Sequence, residues 1–399
     1  MAMITYACYS ITMQNETKSI HFRPPDLQPG NRPLVSPVYQ SVKFTWESYE
    51  QVASLLKGEN QGYFYSRVAN PTVAELESLI AGMQGRDGAV AFASGSGAIS
   101  SLMFSRLKAG DHVVLFRESY KPTRQLIRGI LHKFGVRHSL LGIHDIAGLE
   151  EVFKKESTKL VVFESPTNPM LCIADIAAIC ALAAKYQVTT VMDNTFAGFH
   201  NHGGLPIDFF VHSLTKFASG HGDVMGGMVV ARRELIDLLF TDAMTIGCTL
   251  DPHAAFLILR GMKTYHLRYR AAASGATEIA NGLSKHPAVR NLRFPGLNGH
   301  PDYQLASRQM QDFGTMIAFD APGSNESDLA EFLNRLKIFK VAASLGSPES
   351  LVAPCKLLYG TDLGTEELTA AGIGETTVRL SIGLEHPGDL LADLLQALK

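Results

Sequence analysis

The chain has no apolar run long enough to span a bilayer, no excess of either charge, and no cysteines in a recognisable spacing. Each absence removes a class of function. With 36 basic and 38 acidic side chains among 399 residues, the formal charge of −2 offers no electrostatic footing for nucleic acid or an anionic membrane. One of the longest apolar runs, "ADIAAICALAA", is interrupted by Asp175 and falls far short of the roughly 20 residues of a spanning helix. The five cysteines, Cys8, Cys172, Cys180, Cys248 and Cys355, are odd in number and scattered, so neither a disulfide framework nor a metal site is expected. The opening "MAMITYACYSITMQNETKS" lacks the basic start and long apolar centre of a secretory signal. Reduced thiols and a cytoplasmic location are the expectation, with Met13 a second candidate start.

What is present is a globular composition, 46% hydrophobic and 19% charged, with room for one large domain and a smaller one. From about Asp87 to Val230, short apolar runs alternate with helical stretches: "GAVAFA", "HVVLF", "KLVVFES", "VTTVMDN" and "IDFFVHS" read as strands. "SGSGAISSLMFSRL", "PTRQLIRGILHKF" and "IADIAAICALAAKY" read as the helices between them. Such a pattern predicts an α/β fold with a mainly parallel central sheet and helices on both faces. Residues 1–65, rich in Pro and polar residues ("HFRPPDLQPGNRP"), read as an extended arm, and 66–265 as the large domain. A long helical bridge, "HAAFLILRGMKTYHLRYRAAASGATEIANGLSKH", then leads into a smaller C-terminal α+β domain within 266–399.

Ligands of parallel sheets lie at the carboxyl ends of the strands. Ser94, Gly95, Ser96 and Gly97 separate a strand from a helix, where small residues let backbone N–H groups close around a phosphate. A dinucleotide fingerprint is not met, because its third glycine position is Ser100. Tyr120 follows the next strand and offers a ring for stacking. Glu164 and Asn168 follow another, and Asp193 ends an apolar strand as a carboxylate that needs a positive partner. "IDFFVHSLTK" ends in Ser213, Thr215 and Lys216. A phosphate cup, a stacking ring, a carboxylate for a pyridinium nitrogen and an amine for a Schiff base together suit pyridoxal 5'-phosphate.

The motifs "YSRVANPT", "SGSGAIS", "ESPTNP", "DNT", "HSLTKFASGHGDVMGG", "SLGSPES" and "VRLSIG" occur in the order found in the pyridoxal-phosphate enzymes of cysteine and methionine metabolism. The chain resembles that family, which includes cystathionine γ-synthase, cystathionine lyases, methionine γ-lyase and O-acetylhomoserine sulfhydrylase, from about Ser36 to near its end. The resemblance implies a fold type I pyridoxal-phosphate enzyme in which Lys216 carries the cofactor and moves protons. Asp193 keeps the ring nitrogen protonated, and Gly95, Ser96, Ser213 and Thr215 bind the phosphate. Tyr120 stacks on the ring and assists proton movement, with Asn168 beside it. Arg379 grips the substrate α-carboxylate, with Ser344 and Asn168 in the same shell. Tyr65 and Arg67 reach the phosphate of a neighbouring subunit, so a homo-oligomer with shared sites is implied, the family's usual form being a homotetramer. The partner is a small amino-acid substrate, with no nucleic acid, membrane or metal.

The first expectation is γ-elimination from methionine or a close analogue, releasing a thiol, 2-oxobutyrate and ammonia. The alternative is γ-replacement on O-acetyl- or O-succinylhomoserine with a sulfur or carbon nucleophile. A non-catalytic binding protein on the same fold ranks lower, since Lys216, Asp193 and Arg379 are all present. Where cystathionine γ-lyases carry acids beside the "YSR" and "SLG" motifs, this chain has Phe64 and Ala343. Lys121 and Pro122 stand where methionine γ-lyases carry a glycine–cysteine pair. The loop "NTFAGFHNHGG" is short, and "LVAPCKLLYGTDLGTEEL" replaces the family's "HPA…MTH" stretch. His200 and His202 are expected as loop or substrate-contact residues, Cys172, Cys180 and Cys248 as core, and "RGMKTYHLRYR" as a solvated or subunit-facing helix side.

Overall fold

In the computed structural model, residues 14–21 and 33–399 are described. Cys8, the start at Met13 and most of the arm stretch "HFRPPDLQPGNRP" lie outside them. Seven strands form the large sheet: β1 (Gly88–Phe92), β2 (His112–Phe116), β3 (Arg137–Leu141), β4 (Thr158–Glu164), β5 (Thr189–Asp193), β6 (Phe209–Ser213) and β7 (Gly227–Ala231). Their spatial order is β1-β7-β6-β5-β4-β2-β3. The strands from β6 through β5, β4 and β2 to β3 are parallel, whereas β7 runs antiparallel to both β1 and β6.

Alternate side chains of these strands feed two cores. Val90, Phe92, Val113, Leu115, Val162, Val191 and Val211 pack on one face, and Ala89, Ala91, Val114, Phe116, Phe163, Met192 and Phe210 on the other. Burial on both faces explains why the strands read as continuous apolar runs. Two strands escaped the sequence pattern. β3, "RHSLL", is polar because it lies at the sheet edge and is incompletely buried. β7, "GMVVA", has only a short apolar run behind a glycine pair.

Helices start where the local chemistry dictates. Asn70 accepts from Thr72 N–H and Pro71 occupies the first turn of helix Pro71–Met83, which accounts for "ANPT". Ser94 caps helix Gly95–Arg106 by accepting from Gly97 N–H at 3.0 Å. The helix expected after Tyr120 is a short one, Lys121–Gln125, running into a π-helical turn at Leu126–Leu131. The expected bridge is two helices, Pro252–Met262 and Tyr265–Leu283, interrupted at Lys263 and Thr264. Its basic run is not wholly solvated: Tyr265 and Tyr269 are buried, and Arg268 donates to the carbonyls of Phe217 and Gly261 at 3.0 and 2.8 Å.

The second sheet has five strands, β8 (Arg290–Arg293), β9 (Met316–Asp320), β10 (Lys340–Val341), β11 (Leu351–Pro354) and β12 (Thr377–Ser381), in the order β10-β11-β12-β9-β8. It packs its own core around Ile317, Phe319, Val378 and Leu380. Cys180 and Cys355 are buried, Cys172 and Cys248 half-buried, and these four are unbonded. Among the described residues no helix is long and apolar enough to cross a membrane.

Because β7 is reversed, its first residue lies beside the helix that starts at Gly95. A Cβ on Gly227 would fall on the Ser94 carbonyl and within 2.7 Å of Gly95 N. Gly227→Ala is expected to lower unfolding stability by about 1–3 kcal/mol, read as a lower urea midpoint with unchanged slope. An unchanged midpoint would mean that this close approach is not needed.

Candidate active site

Adjacent parallel strands bring their last residues side by side. Glu164 of β4 pairs with Asp193 of β5, which pairs in turn with Val211 of β6, two residues before Ser213. A cavity of about 330 Å³ opens at these ends. It is lined by Gly95, Ser96, Tyr120, Asn168, Asp193, Ser213, Thr215 and Lys216, by Ser344 from the loop between β10 and β11, and by Arg379 from β12. Tyr65 and Arg67 do not line it. Tyr65 is 37% exposed, and Arg67 Nη1 donates to the Met244 carbonyl at 2.6 Å.

At one end, the start of helix Gly95–Arg106 meets the hydroxyls that follow β6. A Cβ on Gly95 would lie 2.9 Å from Ser213 Cβ, so only glycine leaves this cradle open. Small residues, hydroxyls and a helix N-terminus together fit a phosphate group. The Thr215 hydroxyl already exchanges hydrogen bonds with Gly226, donating to its carbonyl at 3.3 Å and accepting its N–H at 3.1 Å.

In the middle lie two carboxyl groups. Asp193 Oδ1 accepts from Thr195 N–H at 3.0 Å; burial raises its pKa, opposed by the Thr195 hydrogen bonds and by Lys216. An enclosed carboxylate facing a cavity fits a protonated ring nitrogen, which would lift that penalty. Glu164 accepts the backbone N–H of Tyr120, and burial followed by the neighbouring Asp193 raises its pKa well above the ordinary 4.5. Burial, with Arg379 nearby, lowers the pKa of Lys216. Burial and then Asp193 raise that of Tyr120.

At the far end is Arg379, on β12 and 2% exposed. Its Nη1 donates to Asn168 Oδ1 at 2.7 Å and its Nη2 to the Ser344 carbonyl at 3.0 Å, while Nε has no partner. Among the described residues it forms no ion pair; the rings of Tyr359 and Phe196 lie 4.5 and 5.3 Å from its Cζ. A buried guanidinium with a free N–H and no carboxylate fits an anionic ligand. Lys216 Nζ donates to Ser344 Oγ at 2.9 Å, so Ser344 touches both cations. Ser344 has φ 154°, a region that favours glycine.

Sequence reasoning did not assign Glu164, Thr195, Phe196 or Tyr359 a role at this cavity, which all four line. Glu164 carried the same signal as Asp193, a carboxylate ending an apolar strand; Tyr359 carried none beyond its place in a replaced stretch. His200 and His202 do not line the cavity. His200 bonds Tyr265 OH at 2.8 Å and Asp312 at 2.6 Å, and His202 bonds Asn194 at 2.8 Å, with burial lowering its pKa to about 4.

The family model described as Cys/Met metabolism PLP-dependent enzyme matches residues 16–399. An L-methionine γ-lyase of Fusobacterium nucleatum is 40% identical over 373 residues, covering 92% of this chain and 93% of that protein. The cystathionine γ-synthase of Xanthomonas oryzae, solved in complex with cystathionine, superposes with a TM-score of 0.90 at 34% identity, covering 97% and 98% of the two chains. A Campylobacter jejuni protein named as an O-acetylhomoserine (thiol)-lyase, solved with N'-pyridoxyl-lysine-5'-monophosphate, gives 0.89 at 29% identity, with 97% and 100% covered.

The raised pKa of Glu164 has a signed consequence. The folded protein keeps a proton that the unfolded chain releases above about pH 4.5, so this group's contribution is full below that pH and falls as pH rises toward the folded value. Glu164→Gln, which keeps an acceptor for Tyr120 N–H but cannot ionise, should lose less stability than the parent as pH rises above about 4.5. The difference should be on the order of 1 kcal/mol per pH unit in cofactor-free urea unfolding. Parallel pH profiles would refute the assignment.

Proposed function

The chain belongs to the Cys/Met metabolism PLP-dependent enzymes, and from that premise we propose that it catalyses γ-elimination on methionine or a close sulfur amino acid, releasing a thiol, 2-oxobutyrate and ammonia. Pyridoxal phosphate as cofactor, an amino acid as substrate, and carbon–sulfur lyase or γ-replacement chemistry come with the family. The carrying observation is Ser344, whose hydroxyl accepts from Lys216 and whose carbonyl accepts from Arg379. A cofactor-bearing amine and a guanidinium without a carboxylate partner among the described residues, both bonded to one residue, suit the amino and carboxylate groups of a single α-carbon.

In this reading Gly95, Ser96, Ser213 and Thr215 hold the cofactor phosphate, Asp193 its ring nitrogen, and Lys216 its carbonyl carbon, with Tyr120 and Asn168 against the ring. Pyridoxal phosphate, when bound, supplies a carbonyl that condenses with amines and a ring that takes up the electron pair left at the α-carbon. Arg379 orients the substrate by its carboxylate. Lys216 Nζ, its affinity for protons lowered by burial, accepts the α-proton and carries it onward. Tyr120 retains its phenolic proton and delivers it to the departing sulfur. Apolar Ala343 on the cavity wall supports an uncharged S-alkyl group, as in methionine, over cystathionine, whose distal ammonium would be left unpaired there at a cost of about 1–3 kcal/mol.

Tyr65 and Arg67, outside their own cavity, are read as reaching the phosphate of a neighbouring subunit in a cytoplasmic homotetramer with shared sites. Mixing Lys216→Ala and Arg67→Ala subunits, each of low activity, should restore roughly a quarter of the parental rate if sites are shared in pairs. No recovery would mean self-contained sites.

For the reaction itself, purified holoenzyme should release 2-oxobutyrate from methionine together with methanethiol. Turnover of O-acetylhomoserine instead, with keto acid suppressed by an added thiol, would replace elimination with γ-replacement.

A further inference from the structure

Two stretches that depart from the family pattern meet across the cavity. Tyr359 ends the short helix Cys355–Tyr359 after β11 and is 6% exposed. Its carbonyl accepts from Arg124 Nη2 at 2.6 Å. Arg124 is 1% exposed and is gripped bidentately by Asp362, whose oxygens accept from Nε at 3.0 Å and from Nη2 at 2.6 Å. Its Nη1 serves the carbonyls of Arg117 and Ser119. Outside this pair, Lys121 Nζ donates to Thr361 Oγ1 at 2.6 Å. The segment carrying Tyr120 and the segment carrying Tyr359 are therefore one mechanical unit, although some 240 residues separate them in sequence.

A buried bidentate pair constrains geometry more than it adds stability, because the planar fork tolerates little misalignment. What it holds here is a ring 4.5 Å from the Arg379 guanidinium carbon, which also lies 5.3 Å from the Phe196 ring. We propose that Tyr359 is a substrate-positioning residue, set by the Arg124–Asp362 pair, whose ring keeps the Arg379 guanidinium in a fixed plane for the α-carboxylate of the amino acid. The inference rests on the reading of Arg379 as the carboxylate site.

The test is calorimetric binding of L-norleucine and of its amide to holoenzyme, with cofactor loading followed by absorbance. Tyr359→Ala and Asp362→Asn should each weaken L-norleucine about tenfold and the amide less than about twofold. The KM for the turned-over amino acid should rise in parallel, with kcat within about threefold. Tyr359→Phe, which restores the ring, should bring the affinity back to within about threefold. The double variant should be no weaker than Tyr359→Ala alone, since both changes act through one ring. Equal weakening of the amide, unchanged L-norleucine binding, or loss of cofactor from Tyr359→Ala would overturn the proposal. Neither ligand carries a leaving group, so this comparison succeeds or fails independently of methionine turnover.

Discussion

The rest of the site depends on a positive charge buried without a counter-charge. Arg379 lies on the central strand of the small sheet, nearly sealed from solvent, and its neighbours are an amide, a carbonyl and two rings. Such a charge is tolerated only where hydrogen bonds and polarisable faces take the place of water. Its field reaches Lys216, where it acts with burial to favour the neutral amine. Across the cavity two carboxyl groups stand side by side, and burial pushes both toward the protonated form, Glu164 the more strongly. One cavity thus places a guanidinium and a carboxyl group on opposite sides of the same space.

Much of this is legible in the sequence, because the polar groups that line the cavity sit where apolar strands stop. Asp193, Ser213 and Lys216 were found by following runs buried on both faces, and the glycine and serines after β1 by the strand-to-helix change. The physics that hid the remainder is equally specific. β3 is an edge strand and carries polar residues that erase its pattern. Tyr359 reaches the cavity through a short helix held by contacts distant in sequence, for which no local periodicity exists. Arg268 reads as a surface cation, yet it donates to two carbonyls, Phe217 in the turn after β6 and Gly261 in the preceding helix.

The loop that follows Asp193 shows the same principle. Its two histidines are expected from the sequence as loop or substrate-contact residues. In the fold His200 is a strut between Tyr265 of the bridging helix and Asp312 of the C-terminal part, and His202 ties the loop to Asn194. These bonds fix the loop that also carries Phe196, whose ring lies 5.3 Å from the Arg379 guanidinium carbon.

The joint between Arg124 and Asp362 also bears on how such a protein can change over generations. Replacing Asp362 alone leaves the buried Arg124 guanidinium without its carboxylate, so that stretch is not free to drift by itself. Positions 124 and 362 should vary together among descendants of a common ancestor. A chimera that imports one of the two stretches from a cousin would inherit a mismatch at the heart of its site, even if every cofactor motif were preserved.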